Sequence, residues 1–375
     1  MLLRPVMGTL VLGTLAVLGG LAGAAVARQG KSADEPAPKG KWEQRQVELK
    51  GHLGDRWLLA FSPDAKTLAA GSFSNQGDVP VVLRLVDVSG KDPREQHKLT
   101  GHHKTTLALM AFASEGKTLI SVGADGLAKV WDVEGGKVKE TFAVGKKGEF
   151  NTVEGAWLTA DGKSLVVFPP PRRAGTFSDT HPVPPRVEIW DPQTRKQDKT
   201  VPVAPGQHGM ALSPDGKYLI CGTGPADDLP GESVAQVRFW NLQTGKAAGG
   251  LKLLVTRALF SPTGKSILLQ QVNPKNEQPS LVFWDVATNK GSTPTAAALK
   301  HSYAHGFSGD GKYLVTASPD RRKVTVWEVG TEKPVGSLPT LDSTVGAAAL
   351  SADGRTLAVI TDLDNILHVW TFKEP

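Results

Sequence analysis

The sequence predicts an all-β chain in which seven four-stranded units close into a ring, and three observations predict it. A short phrase recurs seven times. Each copy is followed by a strand that usually ends at Trp-Asp. The two ends of the chain supply complementary parts of one unit. An internal repeat of this period fixes the architecture before any residue is given a job, because each unit buries its apolar face only against its neighbours.

Taken in order, each unit opens with an apolar stretch that runs into Phe or Leu at 61, 112, 158, 212, 260, 307 and 350. A turn follows. It reads Ser-Pro-Asp-Ala-Lys after Phe61, Ser-Pro-Asp-Gly-Lys after Leu212 and Ser-Gly-Asp-Gly-Lys after Phe307. Gly supplies the positive φ that such turns need. A second strand comes next, such as Tyr218-Leu-Ile-Cys, and a loop leads to a third, such as Val324-Thr-Val-Trp. The third strands end at Val86-Asp87, Trp131-Asp132, Trp190-Asp191, Trp240-Asn241, Trp284-Asp285, Trp327-Glu328 and Trp370-Thr371. A Thr-Gly-Lys-type turn, as at Thr244-Gly245-Lys246, then precedes a weaker outer strand. No part of the repeat region shows a sustained helical period.

These residues resemble the WD-repeat family, over roughly residues 42 to 374. The Gly-His pair that opens a unit in that family stands at Gly51-His52 and Gly101-His102. The resemblance implies a seven-bladed β-propeller. It also implies a structural hydrogen-bond tetrad in blade two, made by His102, Ser121, Asp125 and Trp131. Later blades lack Gly-His, and blade one has Val86 in place of Trp. The sequence ends just after the third strand of the seventh repeat, while Trp42 to Lys50 precede the first Gly-His as an outer strand would. The N-terminal segment is therefore expected to complete blade seven. Such velcro closure removes exposed sheet edges. Six of the nine Trp share one repeat position and are expected to pack between blades. Trp157 breaks the pattern, since five of the other six blades carry Ala or Gly there. It either fills a gap in packing, the favoured reading, or projects toward the axis.

Three segments are expected: residues 1–27 as a secretory signal peptide, 28–41 as a disordered linker, and 42–375 as the propeller. Arg4 precedes an apolar run rich in Leu, Val, Ala and Gly that ends at Ala25-Val26-Ala27, a pattern for export and cleavage after Ala27. The alternative is an uncleaved anchor, since Pro5 to Ala27 is long enough to span a bilayer. Export places the propeller in the periplasm, the envelope or the medium, with a membrane association only if the segment stays uncleaved. The Ser-Pro-Asp-Gly-Lys turns have a bacterial character. The single Cys221 excludes an internal disulfide and reads as a small buried core residue. The net charge of +6 is modest on 375 residues and comes with no basic stripe interleaved with aromatics, so nucleic-acid binding is not expected.

In the resembled fold the Ser-Pro-Asp-Gly-Lys turns lie on one face and the loops between second and third strands on the other. Insertions fall in the second set, at 73–79, 169–186, 223–236 and 271–280. The loop Pro169 to Arg186 is the most unusual. Arg172, Arg173 and Arg186 offer forks for carboxylate or phosphate, Phe177 and His181 form an amphipathic tip, and prolines stiffen it. These five residues are the candidate partner contacts; a solvated insertion with no partner is the competing reading. No catalytic constellation, cofactor or metal site is expected. Asp362-Leu-Asp364-Asn365 lacks the Gly and terminal Glu of a calcium loop. The resemblance implies a non-catalytic scaffold that binds a protein or cell-surface ligand, and a monomer is expected. The alternatives are a propeller enzyme (lyase, glycosidase or quinone-dependent) and a sensor domain acting in trans.

Overall fold

The computed structural model describes residues 41–49, 56–74, 81–99, 103, 106–144, 153–169, 185–204, 207–223, 237–253, 255–273, 276, 278–362 and 366–373. They form seven antiparallel four-stranded sheets. Six sheets are meanders of consecutive strands; in blade one these are Arg56–Phe61, Thr67–Phe73, Val82–Asp87 and Arg94–Leu99. The seventh combines Val345–Leu350, Thr356–Thr361 and Ile366–Lys373 with Lys41–Glu48, the first strand of the chain. The fold is a seven-bladed β-propeller with velcro closure. The closing strand begins at Lys41, one residue before the expected boundary. The expected signal segment and all but the last residue of the expected linker lie outside the described residues. Among the described residues no helix is long and apolar enough to cross a bilayer.

The repeated phrase is a turn device. Ser62 Oγ donates to Asp64 Oδ1 at 2.6 Å, Asp64 accepts the Lys66 N–H at 3.1 Å, and Ser62 Oγ accepts the Thr67 N–H at 2.9 Å. The same three bonds recur at Ser213, Asp215, Lys217 and Tyr218, at Ser308, Asp310, Lys312 and Tyr313, and at Ser351, Asp353, Arg355 and Thr356. The fourth residue of the turn is left-handed throughout, at φ 59° for Ala65 and about 70° for Gly162, Gly216 and Gly264. Gly bears that conformation without strain, which is why it recurs there. The Asp and Ser of this phrase therefore shape hairpins.

The core is divided among the blade interfaces. Seven apolar clusters each draw on two neighbouring blades, as where Leu83 and Leu85 of blade one meet Leu107, Leu119 and Trp131 of blade two. Of the repeated tryptophans, Trp131, Trp190, Trp327 and Trp370 are buried there, while Trp240 and Trp284 are half-buried. The buried Cys221 belongs to the cluster between blades three and four. Its thiol pKa is pushed up by burial and then by the nearby Glu154, so it makes a poor nucleophile.

Candidate functional site at the loop-bearing end of the axis

The register of the sheets shows which residues share a face. Phe61 pairs with Leu68 and Phe260 with Ile267, so the Ser-Pro-Asp turns all lie at one end of the inner strands. At the other end Arg56 pairs with Phe73, Gly155 with Phe168, Gln207 with Thr223 and Arg257 with Gln270. Those second strands run straight into the inserted loops. The first residues of the inner strands and the last residues of those second strands thus share one face.

The side chains at this mouth include several ionisable groups on strands that are otherwise apolar. Glu154 precedes the inner strand of blade three and is half-buried, and burial raises its pKa from 4.5 to about 7. His208 of blade four is half-buried, and burial lowers its pKa. Trp157 lies against the backbone of Gly155 and of Gly209 in blade four, and packs on the core cluster of that interface. The Thr344 hydroxyl donates to Asp362 Oδ2 at 2.6 Å. Among the described residues no group of three or more His, Cys, Asp or Glu is placed to hold a metal.

Glu154 has a consequence for stability. Its folded pKa lies above its ordinary value, so the stability it contributes is full below about pH 4.5. That contribution is lost as the pH rises through about 7. Glu154→Gln removes this dependence. We expect the variant to match wild type near pH 4.5 and to exceed it by up to about 3 kcal/mol at pH 8. Denaturant unfolding at both pH values checks this, and a variant-to-wild-type gap that does not change with pH contradicts it.

Of the candidate loop contacts, Arg172, Arg173, Phe177 and His181 lie outside the described residues. Arg186 begins a strand, and its Nε bonds Glu188 Oε1 at 2.8 Å. Glu188 in turn accepts the Trp190 indole N–H at 3.2 Å and is fully buried. Arg186 is thus bonded within the blade through Nε.

In blade two, His103 bonds Ser121 Oγ through Nε2 at 2.9 Å and Asp125 Oδ1 through Nδ1 at 3.0 Å, and the Trp131 indole N–H donates to Ser121 Oγ at 2.9 Å. The His in this network is His103, next in sequence to the expected His102, which lies outside the described residues. Two adjacent histidines left that choice to the backbone path. Elsewhere the indole keeps a partner of another kind: Thr316 for Trp327, Glu188 for Trp190 and Gln207 for Trp240.

The family described as "WD domain, G-beta repeat" matches residues 93–132, which hold this network. That match covers one blade of the seven-bladed propeller. It is 23% identical to the "WD repeat-containing protein WDS homolog" of Arabidopsis thaliana over 334 residues, 87% of this chain and 57% of the relative. It is 22% identical to "Activating molecule in BECN1-regulated autophagy protein 1A" of Danio rerio, over 74% of this chain and 18% of that protein. Against SEC12-like protein 2 of Arabidopsis thaliana the identity is 24%, over 65% of this chain and 58% of the relative. The chain thus spans just over half the length of these curated relatives, or much less. Among solved structures, "Kuenenia stuttgartiensis Hydrazine Synthase" superposes with a TM-score of 0.63 at 18% identity, over 88% of this chain and 99% of the other, a likeness of fold alone.

Sequence reading missed Glu154, His208, Arg257 and His305. The available signal was that each places an ionisable residue at or just before an inner strand whose repeat positions are elsewhere mostly apolar or small.

Proposed function

We propose that this chain is an exported, non-catalytic scaffold that binds a protein partner through its loop-bearing face. The observation that supports it is the asymmetry of the two ends. Among the described residues one end carries tight, self-bonded turns, while at the other the second strands lead into the positions of the long insertions and ionisable residues stand at the starts of inner strands. Binding residues commonly sit on loops carried by a rigid scaffold. The loop at 169–186, with Arg172, Arg173, Phe177 and His181, is the proposed contact. The signal-like segment 1–27 supports delivery outside the cytoplasm, with cleavage after Ala27.

The test is affinity capture from the native cell envelope and medium, with the full chain and with a variant whose 170–184 loop is replaced by a short Gly-Ser turn. We expect at least one partner retained by wild type and lost by the variant. If the shortened form keeps every partner, the loop is not the contact. N-terminal sequencing of the mature protein is expected to begin at Arg28; a start at Met1 on a membrane-bound form would overturn cleavage.

A further inference from the structure

The mouth of the axis between blades five, six and seven carries two arginines and a histidine with unusual surroundings. His305 is the extra residue of a β-bulge: Ala304 pairs with Thr316 and Gly306 with Val315, which leaves His305 opposite nothing. Bulges re-aim a side chain out of the regular pleat and are over-represented at working sites. His305 Nε2 is buried and has no hydrogen-bond partner among the described residues. A buried polar atom left unbonded is costly and calls for an explanation.

Both flanking groups are cations. Arg257, from the inner strand of blade five, donates to the Ala304 carbonyl at 2.9 Å and to the His305 carbonyl at 3.1 Å. Those bonds fix the guanidinium beside the bulge. Arg321, from the turn between the second and third strands of blade six, lies over the Tyr303 ring at 4.6 Å. Its backbone is left-handed at φ 56°, and its carbonyl accepts the Val345 N–H of blade seven at 2.9 Å. Neither arginine has a carboxylate partner among the described residues. The nearest acid in that turn, Asp320, already accepts from the Ser318 hydroxyl and the Arg322 N–H. Burial, then Arg257 and Arg321, lower the His305 pKa to about 3, so the imidazole is neutral and retains one N–H. Two guanidiniums and an unbonded imidazole nitrogen, with no anion among them, make a preformed cradle for negative charge.

We propose that Arg257, His305 and Arg321 form an oxyanion-binding site that takes a carboxylate or phosphate group of a ligand at the loop-bearing mouth. The site deepens the scaffold reading by naming the chemistry of one contact, and it stands or falls separately. His305 donates one hydrogen bond through Nε2–H, and Arg257, held by the Ala304 and His305 carbonyls, and Arg321, held over the Tyr303 ring, supply positive charge.

The test titrates the purified full chain with inorganic phosphate, with acetate, and with chloride at matched ionic strength. Side-chain nitrogen resonances of the histidines are followed by NMR, and binding heats are measured alongside. We expect the His305 signal to move saturably with phosphate or acetate and not with chloride; the better of the two identifies the ligand group. Arg257→Gln and Arg321→Gly are each expected to weaken binding at least tenfold. Glycine suits the left-handed backbone at 321, so that variant keeps its fold. If the wild-type His305 signal ignores both anions, or follows chloride equally, the site is refuted, whatever the variants do. If the anions fail while partner capture persists, only this inference falls. If a partner is captured by wild type and lost in both arginine variants, the anion site is part of the binding face.

Discussion

Removing residues 41–48 is expected to abolish cooperative unfolding and to leave an aggregating chain. This strand pairs with 366–373 along its whole length, from Lys41 opposite Lys373 to Glu48 opposite Ile366. It also ties blade seven to both neighbours. On one side the Trp42 indole lies so close to Gly336 of blade six that any Cβ there would overlap it. The same indole packs at a tilt against Phe372, ring centroids 5.3 Å apart, and joins the core between blades six and seven. On the other side Arg45 donates to the carbonyls of Val88 and Gly90 in blade one, and to Thr371 Oγ1 at 2.6 Å. Gln44 Nε2 lies 3.1 Å from His368 Nδ1. Without the strand, eight residues of backbone become an open sheet edge, which templates association between chains. Each blade is stabilised by its two interfaces, so loss at the seam propagates around the ring. Calorimetry and light scattering read the outcome. A synthetic peptide of residues 41–50 added in trans is expected to restore a single transition, because the edge it fills is otherwise intact. A deletion variant that melts as wild type does would refute this role for the seam.

The ring, its seven blades and its closing strand were legible because each is a repeat property, written seven times or at both termini. One strand phrase with Phe61 or Leu212 is weak, but seven in register admit few architectures. What escaped is what does not repeat. His103 stands in the blade-two network, and a Gly-His pair followed by a second His cannot report which imidazole faces Ser121. Arg186 looked like a loop cation, but its neighbour two residues on, Glu188, is buried on the same side of the strand and takes its Nε–H. The inner-strand bulge itself recurs in blades two, four, six and seven, but only in blade six is its extra residue a histidine, His305, and no residue type announces a register event. Glu154 and Arg257 were visible as breaks in apolar strands, yet their meaning depends on what crosses the blade boundary beside them.

Trp131→Ala is expected to destabilise the protein by about 3–5 kcal/mol, the usual cost of emptying a buried aromatic site. Trp131 is fully buried between blades one and two, so nothing polar or mobile can fill the space. The loss also reaches beyond volume, through a chain of bonds that runs from the core to the loop-bearing face. Asp125 accepts from His103 Nδ1 and from the Leu127 N–H. That leaves His103 Nε2 to accept the Ser121 hydroxyl, whose oxygen in turn accepts the indole N–H. His103 and Ser121 then each donate once and accept once, the indole only donates and the carboxylate only accepts, and the tautomer follows from the geometry. Trp131→Phe keeps most of the packing but removes the donor, and about 1–2 kcal/mol is expected. Ser121→Ala orphans a buried indole N–H and a buried imidazole nitrogen together, at about 1–3 kcal/mol. The decisive measurement is the double variant. If the bonds act as a relay, Ser121→Ala with Trp131→Phe costs less than the two single changes added, by 0.5 kcal/mol or more in a rough sense. Additive costs in denaturant unfolding would mean that Trp131 acts by packing alone, and that the hydrogen bonds from Ser121 to Asp125 order the blade-two turn without help from the core.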